Sequence, residues 1–179
     1  MIKKVLFGLV AVIVIFLAVA AMQPADFRIS RSATIAAPPS ALFEQINDLR
    51  KFQDWNPWAK FDPNAKTTYT GPPSGVGSAY SWAGNGEVGE GTMTITESRP
   101  GELVRAKMEF NKPMQATNIA EFTFKPEGDK TLMTWSMSGT NGLVAKAFGL
   151  LIDCDKMVGS EFEKGLAKLK SITETAPKP

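Results

Sequence analysis

The side chains of this chain best suited to chemistry are two carboxylates, one amide and a set of thioethers, and no histidine accompanies them. Asp155 and Glu161 lie in a C-terminal stretch of helical period. At ~100° per residue, Asp155 falls between Phe148, Phe162 and Leu166 at one edge of an apolar stripe, and Glu161 falls at the opposite edge near Leu150 and Cys154. A carboxylate facing an apolar cavity orients a ligand's polar head, or takes a raised pKa and acts as an acid. The plainer reading is an edge residue that reaches solvent. Asn118 shares a strand face with Ala120, Phe122 and Phe124, where it either hydrogen-bonds a ligand or satisfies the start of its strand. Met93, Met108, Met114, Met133, Met137 and Met157 are scattered over several elements. Without histidine they suit the adaptable lining of an irregular apolar cavity better than a soft-metal site. Neither a metal nor a cofactor is expected. Cys154 is the one cysteine, so no intrachain disulfide exists, and its place on the apolar stripe reads as an inert thiol.

Gly84-Asn85-Gly86-Glu87-Val88-Gly89 matches the dinucleotide fingerprint GxGxxG. That fingerprint works when a strand leads through it into a helix whose N-terminus meets the pyrophosphate. Here strand-type residues lie on both sides, so a glycine-rich hairpin is expected. No Ser–His–Asp, Cys–His or paired-carboxylate arrangement can be assembled, and no catalytic residue is assigned.

The 179 residues leave room for one domain and an appendage. Of 20 basic residues, Lys3 and Lys4 precede an apolar run; the rest balance the 18 acidic ones. The absence of a basic stripe with interleaved aromatics argues against nucleic-acid binding. Residues 5–22 carry neither a charge nor a hydrogen-bonding side chain. As a helix rising ~1.5 Å per residue, this run nearly spans a ~30 Å hydrocarbon core. Cationic flanks stay in the cytoplasm, so the domain is expected on the periplasmic or outer face of a bacterial inner membrane, held by a single pass. A cleaved signal peptide is the alternative: Ala18-Val19-Ala20 offers a small-x-small site, but the run exceeds the usual 7–15-residue apolar stretch. The expected organisation is an anchor or signal over 1–24, a domain over 25–175 and a tail over 176–179.

Phe27, Ile29, Ala33 and Ile35 alternate with polar residues as in a half-buried strand. Pro38-Pro39 then opens a short helix with Leu42, Phe43 and Ile46 on one face, and a second short helix follows near 49–54. Turn clusters at 71–75, 84–86, 100–101 and 127–129 separate six strand-type runs near 67–70, 78–82, 91–97, 103–110, 116–125 and 131–138. From Gly142 to about Ile172 the period becomes helical, which predicts one continuous helix of about thirty residues. A curved antiparallel sheet wrapped around that helix buries both apolar faces, an α+β architecture.

Trp55-Asn56-Pro57-Trp58, Tyr69-Thr70-Gly71-Pro72 and Gly75-Val76-Gly77-Ser78 look like a characteristic segment of the START/Bet v 1-like (SRPBCC) superfamily, which includes polyketide cyclase and lipid-transport proteins. Asp155-Lys156-Met157-Val158-Gly159 and Phe162-Glu163-Lys164-Gly165-Leu166 resemble that superfamily's C-terminal helix. The resemblance covers residues 27–173. It implies the helix-grip fold, with a deep cavity between sheet and long helix that holds an apolar ligand, and it does not imply an enzyme. The cavity wall is then expected to include Tyr80, Trp82, Met93, Met108, Phe110 and Phe122 from the sheet, with Asn118 as a polar group. Trp135, Met137, Leu151, Val158 and Phe162 complete it, and Asp155 gives a single polar handle.

Three functions follow as expectations. The first is a monomeric, membrane-anchored binding protein for an apolar small molecule or lipid. The second is a cyclase- or dehydratase-type enzyme with Asp155 as acid–base, assisted by Asn118 or Tyr80. The third is an envelope interaction module that uses its surface.

Overall fold

The structure is a computed structural model that describes residues 2–175; the expected tail at 176–179 lies outside them. Helix α1 (Ile2–Met22) is exposed along most of its length and is followed within four residues by strand β1 (Asp26–Ile35). Two short helices come next, α2 (Pro39–Asn47) and α3 (Leu49–Trp55), then a 3-10 turn (Pro57–Lys60). The meander is β2 (Lys66–Thr70), β3 (Ala79–Ala83), β4 (Glu90–Arg99), β5 (Leu103–Lys112), β6 (Ala116–Glu127) and β7 (Lys130–Thr140). Helices α4 (Leu143–Gly149) and α5 (Cys154–Thr175) close the chain. The seven strands form one antiparallel sheet in the order β1-β7-β6-β5-β4-β3-β2. The expected helix-grip fold is present.

The register defines two ends of this sheet. Asp26 pairs with Thr140, Ala116 with Phe110, Lys112 with Glu90, and Ala83 with both Glu90 and Lys66. All of these lie at the end where α1 leaves the domain, here the proximal end. The distal end is filled by α2 and α3. Pro39 occupies the first turn of α2, where its missing N–H has no intrahelical partner to lose. Leu42, Phe43 and Ile46 are buried, and the Phe43 ring meets Phe124 edge-on at 6.2 Å. The Asp48 carboxylate accepts from the Arg50 amide and starts α3, whose Phe52 and Trp55 point into the core.

One expectation fails at the C-terminal helix. The chain breaks at 150–153 because Gly149 ends α4, and Asp153 caps α5 by accepting from the Lys156 amide at 2.9 Å. The apolar residues of α4 happen to stay in phase with those of α5, which hides the break from a reading of period alone. Leu150, Leu151 and Cys154 are consequently exposed, not part of a buried stripe.

Helix α5 crosses the sheet with glycines at its closest contacts. At Gly165 a Cβ would sit 2.9 Å from the Trp135 ring and 3.2 Å from Pro57. At Gly159 it would collide with the Arg31 guanidinium, which lies on the inner face of β1. Arg31 donates to the Asp155 carboxylate at 2.8 Å and to Glu163 at 2.9 Å, one helical turn to either side of Gly159. The Arg31 hydrogen bond holds the Asp155 carboxyl below its usual value.

Two outcomes follow. Gly165→Ala would stabilise an unconstrained helix by about 0.5–1 kcal/mol. Here overpacking against Trp135 opposes that gain by about 1–3 kcal/mol, so the urea midpoint should fall. A raised midpoint would refute the close contact. For Asp155, the lowered folded-state pKa means that the stabilisation is present above the unfolded value of ~3.9 and is lost as pH falls through the folded value. Asp155→Asn should therefore be less stable than the parent at pH 7. The difference, read from denaturation midpoints, should close below about pH 4.

Candidate functional site: an apolar cavity at the proximal end

A cavity of about 490 Å³ lies between the inner face of the sheet and the first half of α5. Strand alternation builds it. Tyr80 and Trp82 on β3, Met93 on β4, and Met108 and Phe110 on β5 supply one wall. Phe122 on β6, Trp135 and Met137 on β7, and Val158 and Phe162 on α5 supply the other. These ten are the expected positions. The cavity exists because α2 and α3 fill the distal half of the sheet while nothing equivalent covers the proximal half.

The floor is an aromatic cluster. Phe162 stacks on Trp135 with 4.2 Å between centroids and 13° between planes. Phe52 meets Phe122 and Trp135 edge-on at 6.1 and 6.0 Å, and Trp55 meets Trp135 at 5.5 Å. Offset and edge-on pairs of this kind add about 0.5–1.5 kcal/mol each beyond area burial. The floor is therefore stiff, while the methionine walls above it are adaptable. Trp82 reaches over Gly91, where any side chain would collide with its ring, and its indole N–H donates to the Val88 carbonyl at 3.2 Å.

Exposed residues Ala59, Pro63, Glu87, Lys112 and Pro113 rim the opening. The GxGxxG segment forms part of this rim as the β3–β4 hairpin, as expected. The Gly84 amide donates to the Gly89 carbonyl, and the Asn85 side chain accepts from the Glu87 and Val88 amides. Asp62 ties the hairpin to the segment before β2 by accepting from the Asn85 amide at 2.7 Å.

Three expected positions are off the cavity wall. The Asp155 carboxylate, in the first turn of α5, is turned toward edge strand β1 and held there by Arg31, so it stays 60% exposed and does not line the cavity. Leu151 sits in the exposed turn between α4 and α5. Asn118 is buried on the correct face but fills the space above Gly139, with its amide 3.8 Å from the Met137 sulfur. Glu161 is paired with Lys164 at 2.6 Å while its second carboxylate oxygen is buried without a partner, and it too is off the wall.

The polar groups beside Tyr80 come from the second short helix and the Trp55–Trp58 segment, none of which was expected in the cavity wall. Gln53, Asn56 and Trp58 line it beside Tyr80. Burial pushes the Tyr80 hydroxyl up to about 12, so it stays protonated and can donate. The Asn56 amide donates to the Gln53 side-chain oxygen at 3.2 Å, and Gln53 Nε2 is buried without a hydrogen-bond partner. The available signal was Gln53 at the third position after Arg50 on a helix whose Leu49 and Phe52 point inward.

Residues 26–174 match the family described as polyketide cyclase / dehydrase and lipid transport. No match was found among curated proteins. Solved structures share the fold at low identity. A Mesorhizobium loti protein is 13% identical with a TM-score of 0.61, covering 85% of this chain and 100% of its own. The Aha1 dimer of Colwellia psychrerythraea is 17% identical with a TM-score of 0.60, covering 85% and 99%. Ara h 8.0201 is 11% identical with a TM-score of 0.60, covering 84% and 99%. With the matched region taking in the whole sheet and nearly all of α5, the chain belongs to the polyketide cyclase / dehydrase and lipid transport family.

Proposed function

We propose that this protein is a membrane-tethered, extracytoplasmic binding protein that holds an apolar small molecule or lipid in the cavity. The observation that carries the reading is the cavity itself: about 490 Å³, walled by aromatic and methionine side chains, with one polar cluster at Tyr80, Gln53 and Asn56. Its size is that of small-molecule sites, and a few convergent polar groups in an apolar wall are what fixes a ligand's orientation. An unpaired buried donor costs about 1–3 kcal/mol, so Gln53 Nε2 favours a ligand bearing an acceptor oxygen. This cluster takes the orienting role first expected of Asp155 and Asn118. The cyclase or dehydratase alternative loses its acid–base residue, since Asp155 is paired with Arg31 away from the cavity.

The tether is α1. It is long and apolar enough to cross a membrane, and Lys3 and Lys4 at its start favour a domain outside by the positive-inside rule. A reporter active only outside the cytoplasm, fused after residue 179, should be active; activity of a cytoplasm-only reporter there would reverse the orientation.

For the cavity, Ala120→Phe projects a ring into the space from β6. It should abolish binding of an apolar fluorescent probe while a cooperative thermal transition survives. Met137→Ala should cost less than the ~2–5 kcal/mol of a filled core position, because part of its surface already borders empty space. Gln53→Leu should weaken binding of a long-chain alcohol relative to a hydrocarbon of equal length. Unchanged probe binding in Ala120→Phe would place the probe elsewhere and remove the basis of this reading.

A further inference from the structure

Seven consecutive residues of α4 include one polar side chain, Lys146, yet none of them is buried. Phe148 is 49% exposed, Val144 58%, and Leu151 in the following turn 74%; Leu143, Leu150 and Ile152 are exposed as well. A helix apolar on nearly all sides and open to water is not a stable surface element of a soluble domain. Its position supplies the reason. Helix α4 packs against α1, where Phe16 is half-buried and Ala20 is buried while the rest of the apolar run is exposed. The Lys146 ammonium reaches the Ala21 carbonyl at 3.4 Å, where the last turn of α1 has carbonyls without intrahelical partners.

We infer that α4 and the turn to α5 lie in the outer interface of the bilayer beside α1, as a second membrane contact that turns the cavity mouth toward the lipid. The inference rests on α1 being a membrane anchor. The occupant is lipid, not another protein, because the patch is continuous with the helix that enters the bilayer. From Phe16 to Met22 α1 rises about 9 Å, so an element packed there sits at the ~5–10 Å depth of an interfacial helix. Lys146 extends its ammonium along α1 while its stem stays apolar. The register then orients the domain. The β5–β6 hairpin, with exposed Met114, and the β3–β4 hairpin share the proximal end with α1 and α4. Both hairpins rim the cavity through Lys112, Pro113 and Glu87. A ligand therefore passes between leaflet and cavity without crossing bulk water.

The lone cysteine makes this testable in the full chain, since Cys154 is exposed at the start of α5. The protein, labelled there with a fluorophore, is reconstituted into phosphatidylcholine vesicles containing lipids spin-labelled near the top of the acyl chain. The reference is Cys154→Ser/Asp129→Cys, labelled at the β6–β7 hairpin, at the distal end of β7, which is about 33 Å long. Quenching several-fold stronger at Cys154 than at residue 129 is expected. Phe148→Asp/Leu151→Asp should remove that difference while the chain still floats with the vesicles, since both residues are exposed and the fold does not depend on them. Equal quenching at the two sites in floating vesicles overturns the inference and leaves the anchor intact. So does a Cys154 label shielded from lipid together with Cys154–Cys154 cross-linking, which would seat a second copy on the patch. A chain that fails to float overturns the anchor reading and this inference together.

Discussion

How closely α5 can approach the sheet is the constraint on which the rest of this molecule depends. Strands β1 and β3–β7 each turn an apolar face inward, and α5 is the one long helix that covers it, with α2 and α3 at the distal end. Contact is made where the helix carries no side chain: Gly165 under the Trp135 ring and Gly159 over the Arg31 guanidinium. Between these points Phe162 lies flat on Trp135 at 4.2 Å, a separation that requires the backbones to be close. Each buried aromatic here contributes about 1.5–3 kcal/mol through area removed from water. The ion pairs of Arg31 are half-exposed and contribute mainly alignment, fixing the helix's rotation about its own axis.

That rotation decides which side chains can act. With Arg31 drawing Asp155 and Glu163 to the edge strand, Val158 and Phe162 turn inward and no acidic group of α5 lines the cavity. Polar character inside comes instead from the opposite wall. Gln53 and Asn56 arrive on the short helix and turn that precede the sheet, and they meet Tyr80 from β3. The same segment gives Pro57 to the Gly165 contact and Trp58 to Phe162, 6.0 Å away. One stretch of six residues, 53–58, thus packs the helix and dresses the cavity. Packing and ligand preference are coupled there.

Asymmetry between the two ends of the sheet is the second organising feature. Helices α2 and α3 fill the distal half, so stability concentrates there and the proximal half is free to stay open. The opening, the tether and the apolar α4 share that proximal end because β1 begins where α1 stops and β7 ends where α4 begins. Topology alone brings a hydrophobic helix, a membrane-length helix and a cavity mouth to one side.

Much of this was legible in the residues. Period-2 alternation, turn clusters and the charge-free run at 5–22 are local signals, and each concerns neighbours in the chain; they gave the succession of strands and the inner face of all but β2, while the cavity that ten of the named positions line was what the family resemblance implied. The hairpin at 84–89 was legible for the same reason. The break in the C-terminal helix was visible too, in Gly149 and the capping Asp153, but the in-phase apolar residues on either side outweighed it. What no local pattern carries is the partner of a side chain from a distant element. Asp155 sits beside apolar residues on a helical wheel, yet Arg31, 124 residues earlier, decides where its carboxylate points. Gln53 and Asn56 read as ordinary polar residues until Tyr80 is placed against them. Alternation assigns a side chain to a face, whereas the neighbours it meets there depend on how strands and helices are stacked, and only the tertiary structure decides that.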